Sequence, residues 1–316
     1  MSSVAPAGRK TVRMVSQAER PKRVVSVVIP VYDDPRLPQC LDALARQTLP
    51  DGWELETVVV DNGSSESLSA MAGSYPGVTF LLETRRGSYA ARNTGVAVST
   101  GEVVAFTDSD CTPAHDWLRV ALDRLERDAV AVAVAGRVKT VFETGMPVTP
   151  AGWWEKVEAF PQQRYAANGF GVTANLVVRR SAGDAVGWFD AGFASGGDAD
   201  FGHRLTAAGR TVVYEDAAVV EHPARTTWHE LMSKGRRTAQ GRARMEHLRG
   251  RGLRGYLISL YSSLVQLGTV LKRSVTHTEL EGIRGRAQYL AVGVTYRVVW
   301  FVHLCRWRLH YHRQGE

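Results

Sequence analysis

The chain is poor in the features that would commit it to several large protein classes. Its 316 residues include three cysteines, Cys40, Cys111 and Cys305, scattered and without C-x-x-C spacing. Such a set makes neither a disulfide framework nor a zinc site, so a reducing, cytoplasmic setting is expected. Residues 1–23 contain no apolar run of the length a secretory leader needs. They read as a disordered basic tail, and no signal peptide is expected. No G-x-G-x-x-G follows the first apolar run, where Pro30-Val31-Tyr32-Asp33-Asp34 stands instead. That argues against a nicotinamide-dependent enzyme. The same position lacks the glycine-rich, basic loop expected of a sugar-nucleotide pyrophosphorylase. Fixed-period repeats and low-complexity segments are also missing. So is a set of long transmembrane helices, which sets aside a processive membrane synthase.

Charge is plentiful but segregated. The net charge is +7, yet residues 24–224 carry 16 basic and 26 acidic residues, or −10. Residues 1–23 carry +5, and residues 225–316, with 17 basic and five acidic residues, carry +12. A nucleic-acid-binding core would carry its basic stripe on the folded body, so no nucleic-acid partner is expected. Basic flanks suit an anionic membrane surface, or they solubilise exposed helices. The division therefore reads as a tail over 1–23, a folded domain over 24–224 and a helical region over 225–316.

Hydrophobic pattern places the elements. Val24-Val25-Ser26-Val27-Val28-Ile29-Pro30-Val31 is too apolar for a half-exposed strand and reads as a buried strand of a parallel sheet. A helix over 37–47, with Leu37, Cys40, Leu41 and Leu44 at 3-4 spacing, separates it from Thr57-Val58-Val59-Val60. A short helix, then strand 78–82, helix 88–99 and strand 102–106 follow. This alternation predicts a doubly wound, mostly parallel α/β sheet. Thr112-Pro113 predicts an N-cap with proline at the first helical position, opening a helix through Glu126. Strands are predicted over 129–138 and 171–178, a helix over 198–208, and a strand over 217–221. Arg-rich helices with apolar faces follow residue 225.

Polar residues collect after successive strands: Tyr32-Asp33-Asp34, Asp61-Asn62, Arg85-Arg86 and Asp108-Ser109-Asp110. In an open parallel sheet those carboxyl ends share one crevice, where ligands bind. Acidic groups recurring there repel one another and call for a cation.

In order along the chain, Val-Ser-Val-Val-Ile-Pro-Val-Tyr-Asp-Asp (25–34), Val-Val-Val-Asp-Asn-Gly-Ser-Ser (58–65), Tyr-Ala-Ala-Arg-Asn-Thr-Gly-Val (89–96), Phe-Thr-Asp-Ser-Asp (106–110) and Gly-Gly-Asp-Ala-Asp-Phe-Gly-His-Arg-Leu (196–205) resemble the family 2 glycosyltransferases over about residues 24–222. A bare D-x-D is weak, since Asp198-Ala199-Asp200 is a second one; the ordered set is specific. The resemblance implies a GT-A fold, a nucleotide-sugar donor, with a UDP-sugar foremost, and Mn²⁺ or Mg²⁺. It also implies inversion at the anomeric carbon and a saccharide, lipid-linked or small-molecule acceptor. By motif, Pro30, Tyr32 and Asp33 would line the nucleoside pocket, and Asp61, with Asn62 beside it, would hold the base. Asp108 would face the ribose or donor sugar, Asp110 would bind the metal, and Asp198 matches the catalytic base.

Chemistry runs alongside the resemblance. Charge builds on the leaving diphosphate, which a hard cation with oxygen ligands stabilises, and the attacking hydroxyl needs a general base. Where the family often has Glu before the base, this chain has Gly197; a shifted pairing would make Asp200 the base. Arg86 and Arg92 could neutralise phosphates or serve packing. His222 is either a further metal ligand beside Asp108 and Asp110 or a structural histidine. Trp153 and Trp154 would stack on an acceptor sugar or fill the core. The stretch over 255–271 lacks charge but is short for a span, and Arg297 interrupts a second stretch over 288–305. These helices fit the interface of an anionic membrane, with the protein peripheral on its inner face, or pack on the catalytic domain. A non-catalytic nucleotide-sugar-binding module of the same fold is the alternative function.

Overall fold

The β-branched run at the start of the body forms β1 (Arg23–Val31), buried continuously from residue 25 to residue 31. A computed structural model describes residues 22–66, 68–142, 147–250 and 252–314. Residues 1–21 of the expected tail lie outside them. In chain order β1 is followed by α1 (Leu37–Ala45), β2 (Trp53–Asp61), α2 (Ser69–Ala72), β3 (Val78–Leu82), α3 (Ser88–Val98) and β4 (Val103–Phe106). This is the predicted alternation, and β3, β2, β1 and β4 lie side by side and parallel. Alternate residues serve opposite faces, as the strand period requires. Val27, Ile29 and Ala105 join Leu41, Leu44, Trp117 and Leu122 in one core layer, while Val28, Val104 and Phe106 join Tyr89, Phe189 and Phe201 in another.

The second half begins with a correction. Thr112-Pro113 does not cap a helix; it forms a short strand, β5 (Thr112–Pro113), paired antiparallel with Glu221 and Val220. The helix α4 (Trp117–Arg127) starts after Asp116. Both signals were present, but pairing with a long strand satisfies the backbone at 112–113 in a way a helix start would not. Next come β6 (Ala131–Val141), α5 (Pro150–Glu158), α6 (Gln162–Ala167), a 3₁₀ turn at Thr173–Asn175 and β7 (Leu176–Arg179). The strand predicted over 171–178 is thus shorter and later. Then follow α7 (Arg180–Val186), α8 (Gly197–Ala207) and β8 (Thr211–Pro223). The sheet order is β3-β2-β1-β4-β7-β6-β8-β5, with β7 antiparallel to both β4 and β6 and β6 parallel to β8.

Three helices complete the chain: α9 (Trp228–Leu248), α10 (Gly252–Thr276) and α11 (Gly282–Gln314). A capping box opens α9, with Thr227 Oγ1 accepting from the Glu230 N–H at 3.2 Å and Glu230 Oε2 accepting from the Thr227 N–H at 3.1 Å. These helices pack on α5. Trp153 and Trp154 join Leu231, Met232, Val270, Tyr289 and Tyr296 in a shared core, with Trp154 stacked on Tyr289 at 5.7 Å. The two tryptophans are therefore core residues and offer no stacking surface to an acceptor. Among the described residues no helix is long and apolar enough to cross a membrane.

Candidate active site

The carboxyl ends of β1, β2 and β4 open into one cleft of about 720 Å³, within the usual range for a small-molecule site. From the strand ends and the loops beyond them it receives Pro30, Tyr32, Asn62, Asp108 and Asp110. Arg86, Arg92, Asp198 and His222 reach it from the 83–87 loop, α3, α8 and β8. Asp33 and Asp61 are not among its lining residues. They build the adjoining loop: Asp33 Oδ1 accepts from the Ser65 N–H at 2.7 Å and Asp61 Oδ1 from the Ser64 N–H at 2.8 Å. Those bonds to Ser65 hold the Asp33 carboxyl below its usual range. The Asn62 amide is also engaged, donating to the Glu83 and Arg85 carbonyls and accepting from the Gly87 N–H at 2.7 Å. It fixes the loop that carries Arg86, whose guanidinium lies 5.5 Å from the Tyr32 ring centre.

At the end of β4 the acidic pair meets the end of β8. Asp108, Asp110, Cys111 and His222 each offer one ligand atom, all within 4.8 Å of one another. His222 sits with Nδ1 2.7 Å from the Pro223 carbonyl and Nε2 3.6 Å from Asp110 Oδ2. With its proton on Nδ1, donated to that carbonyl, the ring turns the lone pair of Nε2 toward the carboxylates, the arrangement usual for a metal-binding histidine. Burial raises the Asp110 carboxyl above its usual range, and nearby Asp108 and Asp34 add to this against His222 and Arg36. The donor set of two carboxylates and an imidazole fits a hard or borderline divalent cation. Cys111 fits less well, because burial keeps its thiol protonated well above the usual range. Cys40 and Cys111 are both buried and form no disulfide.

Arginines brace this acidic end. Buried Arg92 donates to Asp108 Oδ1. Arg36 forms two bonds to Asp34, at 2.9 and 3.0 Å, and lies 3.5 Å from Asp110 Oδ2. Although burial raises the Asp34 carboxyl, the bonds from Arg36 prevail and it sits below its usual range.

Asp198 lies in the first turn of α8, two residues after Gly196, which holds the cap position in the left-handed conformation. Burial raises its carboxyl, against its bond from the Ala199 N–H and the charge of Arg92. Asp200 is absent from the cleft and is held by Arg204 at 2.9 Å. A Cβ at Gly197 would stand 2.9 Å from the Tyr89 ring, so this chain packs an aromatic ring against the residue that precedes Asp198.

Several cleft residues escaped sequence reading. Phe160, with φ of +47°, sets its ring 4.6 Å from that of His222. From the C-terminal region come Arg225, Lys234 and Arg237. Arg225 and Lys234 both grip the fully buried carboxylate of Glu155 on α5, at 2.9 and 2.8 Å. No sequence signal separated these cations from other arginines and lysines of the same segment.

The profile described as glycosyl transferase family 2 matches residues 26–172, and that of glycosyl transferase family group 2 matches residues 103–311. The chain is 33% identical over 227 residues to glycosyltransferase AglE of Haloferax volcanii, covering 69% of this chain and 72% of that one. It is 31% identical over 223 residues to the pre-mycofactocin glycosyltransferase of Mycobacterium tuberculosis, covering 67% of this chain but 45% of that one. In fold it is similar to the mannosyltransferase PcManGT from Pyrobaculum calidifontis, solved with GDP-Man and Mn²⁺. That match has a TM-score of 0.61 and 20% identity, and covers 92% of this chain and 89% of that one.

Proposed function

The chain belongs to family 2 of the glycosyltransferases, and from that premise we propose that it moves a sugar from a nucleotide-diphosphate donor to an acceptor hydroxyl with inversion, Asp198 serving as base. The observation that carries this reading is the convergence of Asp108, Asp110 and His222 in the cleft that also holds Asp198. Asp108, Asp110 and His222 would hold Mn²⁺ or Mg²⁺, which supplies charge stabilisation to the departing diphosphate. Arg86 faces the same cleft and adds positive charge on the nucleoside side, where Tyr32 and Pro30 form the wall. As the acceptor oxygen bonds to the anomeric carbon, the bond from that carbon to the diphosphate oxygen breaks, and the acceptor proton passes to Asp198. A carboxyl raised above its usual range is suited to that task, since a base works best with its pKa nearer the working pH. Asp200, tied to Arg204, is not available to share it. The solved neighbour's GDP-Man supports a nucleoside-diphosphate sugar as donor, UDP- or GDP-linked.

Incubation of the full chain with a panel of nucleotide sugars, followed by assay of free nucleoside diphosphate, tests this reading. Release with at least one donor, lost in excess chelator and in Asp110→Ala, is the expected result. Full activity of Asp110→Ala, with its melting temperature kept, would overturn the metal assignment.

A second feature bears on location. Leu257, Tyr261, Leu264, Leu271 and Val275 form an exposed stripe along α10 at helical spacing. It lies within a segment of net charge +12. The stripe supports a peripheral seat on an anionic membrane, with the helix lying in the interface and the catalytic domain on the cytoplasmic side.

A further inference from the structure

Phe160 stands in a backbone conformation that its own side chain disfavours. Its φ is +47°, and among the described residues only Asp33 shares a positive φ without being glycine. Aspartate tolerates the left-handed region because its short side chain bonds locally, whereas a bulky aromatic residue there is a genuine outlier. The turn that holds it, Ala159-Phe160-Pro161, joins α5 to α6 and is closed by the Gln162 N–H donating to the Phe160 carbonyl at 2.7 Å. Glycine would serve such a turn at no steric cost. The strain therefore points to a task for the ring, since outliers of this kind cluster where a side chain is needed in one place.

The ring has two sets of partners. It lies 4.6 Å from the imidazole of His222, centre to centre, with the two planes inclined at 46°. It also meets the two cations that grip Glu155, with Arg225 Cζ 5.7 Å and Lys234 Nζ 5.2 Å from its centre. Phe160 thus ties the end of α5 and the start of the C-terminal region to the end of β8. His222 needs such a neighbour. The bond from Nδ1 to the Pro223 carbonyl anchors one edge of its ring. Histidine's χ2 torsion is broad, however, so a single bond leaves the tilt of the plane open. That tilt decides whether the Nε2 lone pair points into the space shared with Asp108 and Asp110. Packing against the Phe160 ring removes the freedom.

We infer that Phe160 is a positioning residue for the metal site. Its ring holds the His222 imidazole in the orientation that aims Nε2 at the cation, and a strained backbone is kept in order to place it. The inference rests on the proposed role of His222 as a metal ligand and deepens it.

Metal binding by the full chain, read without turnover, is the test. MnCl₂ is titrated with UDP and, separately, with GDP present, and the free ion is followed by paramagnetic resonance. Nitrogen hyperfine coupling of the bound ion reports the imidazole, a signal that a merely structural residue would not change. The proteins are wild type, His222→Ala, Phe160→Leu, Phe160→Gly and Phe160→Tyr. Wild type should show the coupling and His222→Ala should lose it. Phe160→Leu should weaken Mn²⁺ binding about tenfold or more, the usual cost of losing a group that orients a metal ligand, and should diminish the coupling. Phe160→Gly should do the same even though it relieves the backbone, and it keeps the test alive if the leucine variant unfolds. Phe160→Tyr, which retains the ring, should keep both affinity and coupling. A folded leucine or glycine variant with wild-type affinity and coupling, beside a His222→Ala variant that has lost them, would overturn the inference. So would a tyrosine variant as impaired as the leucine one. Wild-type binding by His222→Ala, or no Mn²⁺ binding by wild type, would instead bring down the ligand assignment and this inference with it.

Discussion

Gly197 stands against the ring of Tyr89, 2.9 Å from where its Cβ would be to Cε2. The backbone before Asp198 therefore follows the aromatic surface, and the position of Asp198, the proposed base, depends on a glycine in contact with α3. Gly197→Ala should move the ring or the first turn of α8. Overpacking of this kind costs about 1–3 kcal/mol. The expected outcome is a lower melting temperature and a fall in kcat of about tenfold or more, read by thermal melts and nucleotide release. An alanine variant with wild-type kcat would show that the close fit does not set the position of Asp198.

The two aspartates of α8 are separable by experiment. Asp198→Asn should bind donor but lose transfer by about 10²–10⁴-fold, the usual cost of removing a general base. Asp200→Asn should lose only its Arg204 tie, with a modest effect on stability. Because burial lifts the Asp198 carboxyl above 3.8, activity should fall as pH drops through a value above that of an ordinary aspartate. A pH–rate profile with no such acid limb, or an inactive Asp200→Asn beside an active Asp198→Asn, would reassign the base.

Most of the first half was legible because physics repeats along it. β1, β2 and β4 each carry a buried apolar run that leads into polar residues, and parallel pairing brings those ends together, so Asp108 and Asp110 could be placed beside Tyr32 and Asn62. His222 was ambiguous for a physical reason. Only the pairing of β8 with β5 and β6 brings it level with Asp110, and nothing local in Glu221-His222-Pro223 signals that. Thr112-Pro113 misled because a cap and a proline look alike at a helix start and in a two-residue strand. Arg237 was hidden among many arginines; its place in the cleft depends on which face of α9 meets the segment 194–199, a tertiary fact. Asp61 and Asn62 also help build the loops around the cleft, which Asn62 lines, and no local pattern signalled that.

Glu155 joins the C-terminal helices to the catalytic body, and its loss should be felt in folding. Its carboxylate is fully buried and shared by Arg225 and Lys234. Although burial raises it, those two cations prevail, and it sits below its usual 4.5. The stability it contributes is therefore complete above about that value and is lost as pH falls through the lower folded-state value. Glu155→Gln leaves two cations without their counter-charge, and breaking a buried pair typically costs about 3–5 kcal/mol. Denaturant unfolding at pH 7 should show a loss of that order, and the wild-type advantage should shrink toward pH 3. A variant as stable as wild type at pH 7 would mean that Arg225 and Lys234 are satisfied without it.

The exposed stripe of α10 makes the last prediction. Leu257, Tyr261, Leu264, Leu271 and Val275 are 55–74% exposed, and a water-facing helix gains nothing from such residues. Fully burying one large apolar side chain is worth about 1.5–3 kcal/mol, so a few of them together hold a helix at a lipid interface. The full chain should float with vesicles containing an anionic lipid at low salt, and partly at high salt, because the apolar share is not screened. Replacing Leu257, Tyr261 and Leu264 together with Ser should abolish the salt-resistant part, while nucleotide release from the donor continues. The 4-3 spacing from Leu257 to Tyr261 to Leu264 would also suit a seam between two copies. Sedimentation without lipid therefore decides between the two occupants. A dimer that the triple variant turns into a monomer, with flotation equal in both proteins, would assign the stripe to self-association.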